Sequence, residues 1–138
     1  MIEEIKAKWV EALRSGKYTQ ARHALKGDRG FCCLGVLCDI SGVGKWDEYS
    51  AYVCGVRRST VGLTVPMHEY IGTNRSPYIP AANLTEEEKT LLGRDRPTRC
   101  ICLTALNDAG ISFERIADLI EMGLCETQED KDAQLAKE

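Results

Sequence analysis

The run Gly30-Phe31-Cys32-Cys33-Leu34-Gly35-Val36-Leu37-Cys38-Asp39-Ile40 is the most apolar segment of the first half of the chain, and the fold turns on its conformation. Three cysteines and two glycines sit in an otherwise apolar run. Leu34, Leu37 and Cys38 share one face at helical spacing, and Ser41-Gly42 follows as a stop. The run is therefore expected to be a buried helix, although Cys, Val and Ile would also suit a buried strand. A glycine inside a helix costs about 1 kcal/mol relative to alanine. Gly35 thus predicts a close neighbour at that point of the helix.

Upstream, Ile2, Ile5, Trp9 and Leu13 recur at helical spacing among Lys and Glu, which predicts an amphipathic helix ended by Ser15-Gly16. Tyr18, Ala21 and Leu25 predict a second helix over Tyr18–Leu25, followed by a turn at Gly27-Asp28-Arg29-Gly30. Downstream, residues 43–64 read as two or three short strands or a hairpin, because aromatic and valine residues are separated by Gly, Ser and charges. Pro66 starts a short helix, Met67 to Ile71, closed by Gly72. Residues 73–83 read as a long loop. Thr85-Glu86-Glu87-Glu88 is a capping box opening a helix to Leu92, and Arg94-Asp95-Arg96-Pro97 is a charged loop. Cys100 to Asp108 is expected to be helical, with Asn107 and Asp108 as terminal caps. Ser112 caps a last helix through Phe113, Ile116, Ala117 and Ile120. The expected fold class is α+β: a mainly helical single domain, residues 1–125, with a small β-hairpin or sheet insertion. Residues 126–138 form a polar acidic tail expected to fray.

Composition narrows the function. The chain's 138 residues fit one domain, and no apolar run approaches the roughly 18 residues of a membrane span. Met1-Ile2-Glu3-Glu4 lacks the basic flank of a secretory signal, which predicts a cytoplasmic protein. Seven cysteines, an odd number, read as reduced thiols rather than a disulfide framework. Their spacings, Cys32-Cys33, Cys33-x4-Cys38 and Cys100-x-Cys102, do not match the common zinc patterns, so no metal and no cofactor is expected. Charge is uneven: residues 1–30 hold seven Lys/Arg against four Asp/Glu, whereas residues 114–138 hold three against eight. No broad basic field exists for duplex DNA, but a local pocket for a small anion is allowed.

Three words carry a family resemblance: Lys8-Trp9-Val10-Glu11-Ala12-Leu13-Arg14-Ser15-Gly16-Lys17-Tyr18-Thr19-Gln20, the cysteine run from Gly30 to Asp39, and Leu103-Thr104-Ala105-Leu106-Asn107-Asp108-Ala109-Gly110-Ile111-Ser112-Phe113-Glu114-Arg115-Ile116-Ala117. Together they resemble a widespread group of small bacteriophage and prophage proteins, most weakly across residues 43–99. The resemblance implies an accessory role in the cytoplasm of an infected bacterium. One known class of such proteins sequesters the cyclic nucleotides or ADP-ribose derivatives that defence systems use as alarm signals.

The residues offer one matching constellation. Arg14, Lys17, Tyr18, Gln20, Arg22, His23 and Lys26 crowd the predicted first two helices. Arg supplies a planar fork for phosphate, Lys a point charge, Tyr a stacking face and Gln a base-edge partner. Arg94, Arg96 and Arg99 precede the Cys100 segment and would complete an anionic-ligand pocket if the two sets meet. Trp46, Tyr49 and Tyr52 are further stackers. The expected ligand-binding set is Arg14, Lys17, Tyr18, Gln20, Arg22, His23, Lys26, Arg96 and Arg99, with no catalytic residue. The expected partner is a small anionic nucleotide-like molecule, with a homo-oligomer left open. A protein inhibitor docking on a host defence enzyme is the alternative. A cysteine-dependent or nucleotide-cleaving enzyme is a third reading, for which His23 and His68 are the available histidines and Asp39, Glu69 and Asp108 the available acids.

Overall fold

The computed structural model describes residues 1–93 and 99–125. The order of elements is α1 (Glu3–Arg14), α2 (Cys33–Ser41), β1 (Lys45–Trp46), β2 (Tyr52–Cys54), β3 (Arg57–Ser59), α3 (Val65–Ile71), β4 (Tyr78–Pro80), a 3-10 turn (Ala81–Asn83), α4 (Glu86–Leu91), β5 (Cys100–Cys102), α5 (Leu103–Asp108) and α6 (Phe113–Met122). Two small antiparallel sheets, β1-β2-β3 and β4-β5, join the helices in an α+β fold. No described helix is long and apolar enough to cross a membrane.

α2 is the centre of the molecule. Cys33 through Cys38 are all buried, and α1 and α5 pack against this helix while α6 packs along α1. Trp9, Leu37, Met67, Ile71, Leu106 and Ile120 belong to one continuous apolar cluster. The buried indole of Trp9 donates from Nε1 to the Cys33 carbonyl at 2.9 Å, which fixes α1 on the first turn of α2. On the far side of α1, Arg14 ion-pairs with Asp118 (2.6 Å) and with Glu121, joining the end of α1 to α6.

Three parts of the chain differ from their sequence reading. Tyr18–Leu25 is not a helix but part of an irregular loop. Its amides reach distant carbonyls instead of i−4 ones: Ala21 N–H to Phe31 at 2.8 Å and Leu25 N–H to Thr60 at 2.7 Å. His23, at φ 69°, adopts a left-handed conformation that no helix contains. Cys100–Cys102 is a strand, not the first turn of α5, because β4 pairs with it in the register Tyr78↔Cys102, Ile79↔Ile101 and Pro80↔Cys100. The same pairing places a strand and a 3-10 turn inside the expected 73–83 loop. The hairpin region, the Pro66 helix, the capping box and the last helix stand where the sequence placed them. The Arg94–Pro97 loop and the 126–138 tail lie outside the described residues.

Gly35 has a concrete neighbour. A Cβ there would lie 1.8 Å from the Leu25 carbonyl oxygen, and one on Gly30 would lie 2.2 Å from that of Thr19. The loop backbone therefore lies directly on α2 at one point and crosses itself at the other. A second anchor is the bidentate pair of Arg115 and Glu88: Nε to Oε2 at 2.7 Å and Nη2 to Oε1 at 3.0 Å. Glu88 also closes the capping box by accepting the Thr85 N–H at 2.9 Å. The Arg115 guanidinium and these amides hold the Glu88 carboxyl below its ordinary value.

Two outcomes follow. Gly35→Ala forces the Leu25 backbone away. It is expected to lower stability by about 2–3 kcal/mol in denaturant unfolding despite alanine's better helix propensity. Gly62→Ala, which meets nothing within 4 Å, is expected to be near neutral. Equal midpoints for Gly35→Ala and the wild type would contradict the contact. The depressed Glu88 carboxyl contributes stability that is present above the unfolded value near 4.5 and is lost as pH falls through the folded one. Unfolding titrations between pH 6 and 3 are expected to show a flatter pH dependence for Glu88→Gln than for the wild type.

Candidate functional site

The 15–32 loop is bound to the core through Asn107, a fully buried residue of α5. Its Oδ1 accepts the Gln20 amide at 2.9 Å and the Cys33 N–H at 3.2 Å. Its Nδ2 donates to the Ala21 carbonyl at 2.7 Å. Gln20 Nε2 also donates to the Ile111 carbonyl at 2.7 Å. The neighbouring Asp108 accepts the His23 N–H at 2.8 Å and faces its Nδ1 at 3.5 Å. Asn107 and Asp108 end α5, as their place before Gly110 predicts, and their side chains in addition seat the loop on α5 and on the start of α2.

The expected ligand residues therefore divide. Arg14 is committed to Asp118 and Glu121 at the α1–α6 seam. Gln20 and His23 are held by Asn107 and Asp108. Arg22 extends over α5, where its guanidinium lies 2.9 Å from where a Gly110 Cβ would stand. Arg99 is half-buried at the start of β5, its carbonyl accepting the Ala81 N–H at 2.8 Å. Arg96 lies outside the described residues. Lys17 is exposed on the loop.

Tyr18 and Lys26, in contrast, come together on an aromatic face that the sequence did not assemble. Tyr18 meets Phe31 edge-on with ring centroids 5.2 Å apart, Phe31 meets Trp46 at 5.8 Å, and Trp46 meets Tyr52 at 4.9 Å. Asp39 closes the circuit: Oδ2 accepts the Tyr18 hydroxyl at 2.6 Å, and Oδ1 accepts the Trp46 indole N–H at 2.9 Å. The Lys26 ammonium lies 5.7 Å from the Phe31 centroid and 5.4 Å from that of Trp46. Desolvation, then the bond to Asp39, pushes the Tyr18 phenol up to about 12, so it is a hydrogen-bond donor at neutral pH. The elements that build this face are the loop (Tyr18, Lys26, Phe31), α2 (Asp39) and the hairpin (Trp46, Tyr52). Trp46 and Asp39 were both noticed in the sequence, one as a stacker and one as an acid. Seven residues separate them, which concealed that one bonds the other.

The thiols present a different chemistry. Cys32 caps α2, its Sγ accepting the Gly35 N–H at 3.4 Å. Burial pushes the thiols of Cys32, Cys33 and Cys38 up, which keeps them protonated at neutral pH. No disulfide joins the seven cysteines, and no group of three His, Cys, Asp or Glu among the described residues is placed to hold a metal. Asp39 and Asp108 hold different partners on different elements, so the geometry does not unite them as an acid–base pair.

No curated protein and no solved structure matches the chain. A family model does, across residues 1–124, and the chain accordingly belongs to the family described as Domain of unknown function (DUF8296).

Proposed function

We propose that this protein is a phage-encoded accessory protein that binds and holds a small anionic nucleotide-like molecule, a cyclic nucleotide or an ADP-ribose derivative, in the cytoplasm of the infected host. The observation that carries the reading is the Lys26 ammonium poised over Phe31 and Trp46. Rings supply a surface for a base, and an adjacent ammonium supplies a charge for phosphate. A cation over an exposed ring gains only about 0.5–1 kcal/mol. Lys26 can therefore leave the rings for a phosphate at small cost, vacating the face that a base would cover. Stacking contributes about 1–3 kcal/mol per base. Nanomolar capture needs about 12 kcal/mol in all, so phosphate contacts must provide a large part, with Lys26 at the rings and Lys17 and Arg29 exposed on the same loop.

Holding rather than cleaving is favoured by the thiols of Cys32, Cys33 and Cys38, which are buried and protonated at neutral pH, and by Asp39 and Asp108, which are engaged in structural bonds. The hairpin carries the observation behind a second reading, a protein inhibitor of a host defence enzyme: Tyr49 is 73% exposed and Val56 98% exposed.

Calorimetry against a panel of cyclic nucleotides and ADP-ribose derivatives tests the reading. At least one compound is expected to bind with submicromolar affinity, to be recovered intact after denaturation, and to bind Lys26→Ala at least tenfold more weakly. Absence of binding by every compound at micromolar concentration would overturn the reading in favour of the protein inhibitor. Cleaved product in the recovered ligand would make the protein an enzyme.

A further inference from the structure

Asp39 is an exposed carboxylate whose two oxygens each already accept one donor. The two bonds, at 2.6 Å from the Tyr18 hydroxyl and 2.9 Å from the Trp46 indole, hold the carboxylate from two sides. A carboxylate offers about four lone-pair positions, so roughly one on each oxygen remains. Neither neighbour can turn Asp39 into a donor. The indole N–H only donates, and the Tyr18 phenol keeps its proton at neutral pH. What remains at the rim of the aromatic face is an oriented pair of acceptors with no donor of its own.

The geometry points to a guanine-type base as the ligand's recognised part, its two adjacent N–H groups bonding the two oxygens of Asp39 while its ring stacks on Trp46, where Lys26 now lies. This inference rests on the proposed nucleotide-binding function and specifies its ligand. Guanine presents N1–H and the 2-amino group side by side, matching a bidentate acceptor. Adenine and cytosine each present one donor beside a ring-nitrogen acceptor, which would face a carboxylate oxygen unfavourably. Uracil places a single N–H between two carbonyls. The Asp39 acceptor pair disfavours each of these, because a carboxylate oxygen covered by the base and left opposite another acceptor loses its water without a replacement bond. Lys26, displaced from the rings, is near enough along the same face to meet the phosphate.

The test is calorimetry of the full chain with the 3′,5′-cyclic monophosphates of guanosine, inosine, adenosine and uridine. The guanosine compound is expected to bind at least tenfold more tightly than the adenosine and uridine compounds. Inosine, which keeps N1–H but lacks the 2-amino group, is expected to lose most of that advantage. Asp39→Asn can still bond Tyr18 and Trp46 but presents one donor and one acceptor, so it is expected to bring the four affinities within about twofold. The inosine comparison uses the wild type and stands even if the variant fails to fold. Equal affinities, or binding of only an adenine or ADP-ribose compound, would overturn the guanine assignment and leave the proposed function intact. Binding by none of these or the wider panel would overturn both.

Discussion

The first turn of a helix has amide groups that the helix itself cannot satisfy, and in α2 they lie in the middle of the protein, where water does not reach them. The structure satisfies them from three directions. Asn107 Oδ1 accepts from Cys33, Cys32 Sγ accepts from Gly35, and the Leu25 carbonyl accepts the Cys32 N–H at 3.0 Å. Most of the other arrangements follow from this need. The Leu25 carbonyl can come so close only because Gly35 has no side chain. The loop that delivers it cannot be helical, since its own amides and carbonyls are used for long-range bonds. Asn107 meets α2 and the loop with one side-chain amide, so the two are positioned together.

The functional face is a product of the same docking. Gln20 and Lys26 stand on either side of the Ala21–Leu25 segment, and seating that segment on α5 and α2 brings the loop across the start of α2. Tyr18 and Phe31 then pack edge to face, Trp46 arrives from the hairpin, and Asp39 at the far end of α2 bonds both Tyr18 and Trp46. Two residues of the loop hold it in place: the Gln20 side chain bonds Asn107, and the His23 N–H bonds Asp108. The basic residues of this stretch thus divide in space: Arg14 ties α1 to α6, whereas Lys17 and Arg29 are exposed and Lys26 lies over the rings.

Where local signals act alone, the sequence was legible. The Thr85–Glu88 capping box, the Ser112 cap and the Gly35 close contact each have a physical cause within a few residues or in a missing side chain. Tyr18–Leu25 was misread because apolar spacing of three and four residues also fits a loop whose hydrophobic groups happen to point inward; its bonds run to Phe31, Thr60 and Asn107, none of which periodicity can indicate. Cys100–Cys102 was read as helix because its pairing with Tyr78–Pro80 is a long-range event. The aromatic face was hidden for the same reason. Its members come from the loop, α2 and the hairpin, and the residue that unites them, Asp39, looks from sequence like an ordinary polar residue near a helix end.

Asn107, bonded at once to Gln20, Ala21 and Cys33, is expected to close the loop and the start of α2 into one cooperative unit. Amide hydrogen exchange measures it directly, at Ala21, Leu25 and Phe31 in the loop and at Leu37 in the core of α2. All four are expected to exchange through the same global opening, and Asn107→Ala is expected to lower their protection together. Loop amides exchanging orders of magnitude faster than Leu37, with α2 unaffected by Asn107→Ala, would contradict it.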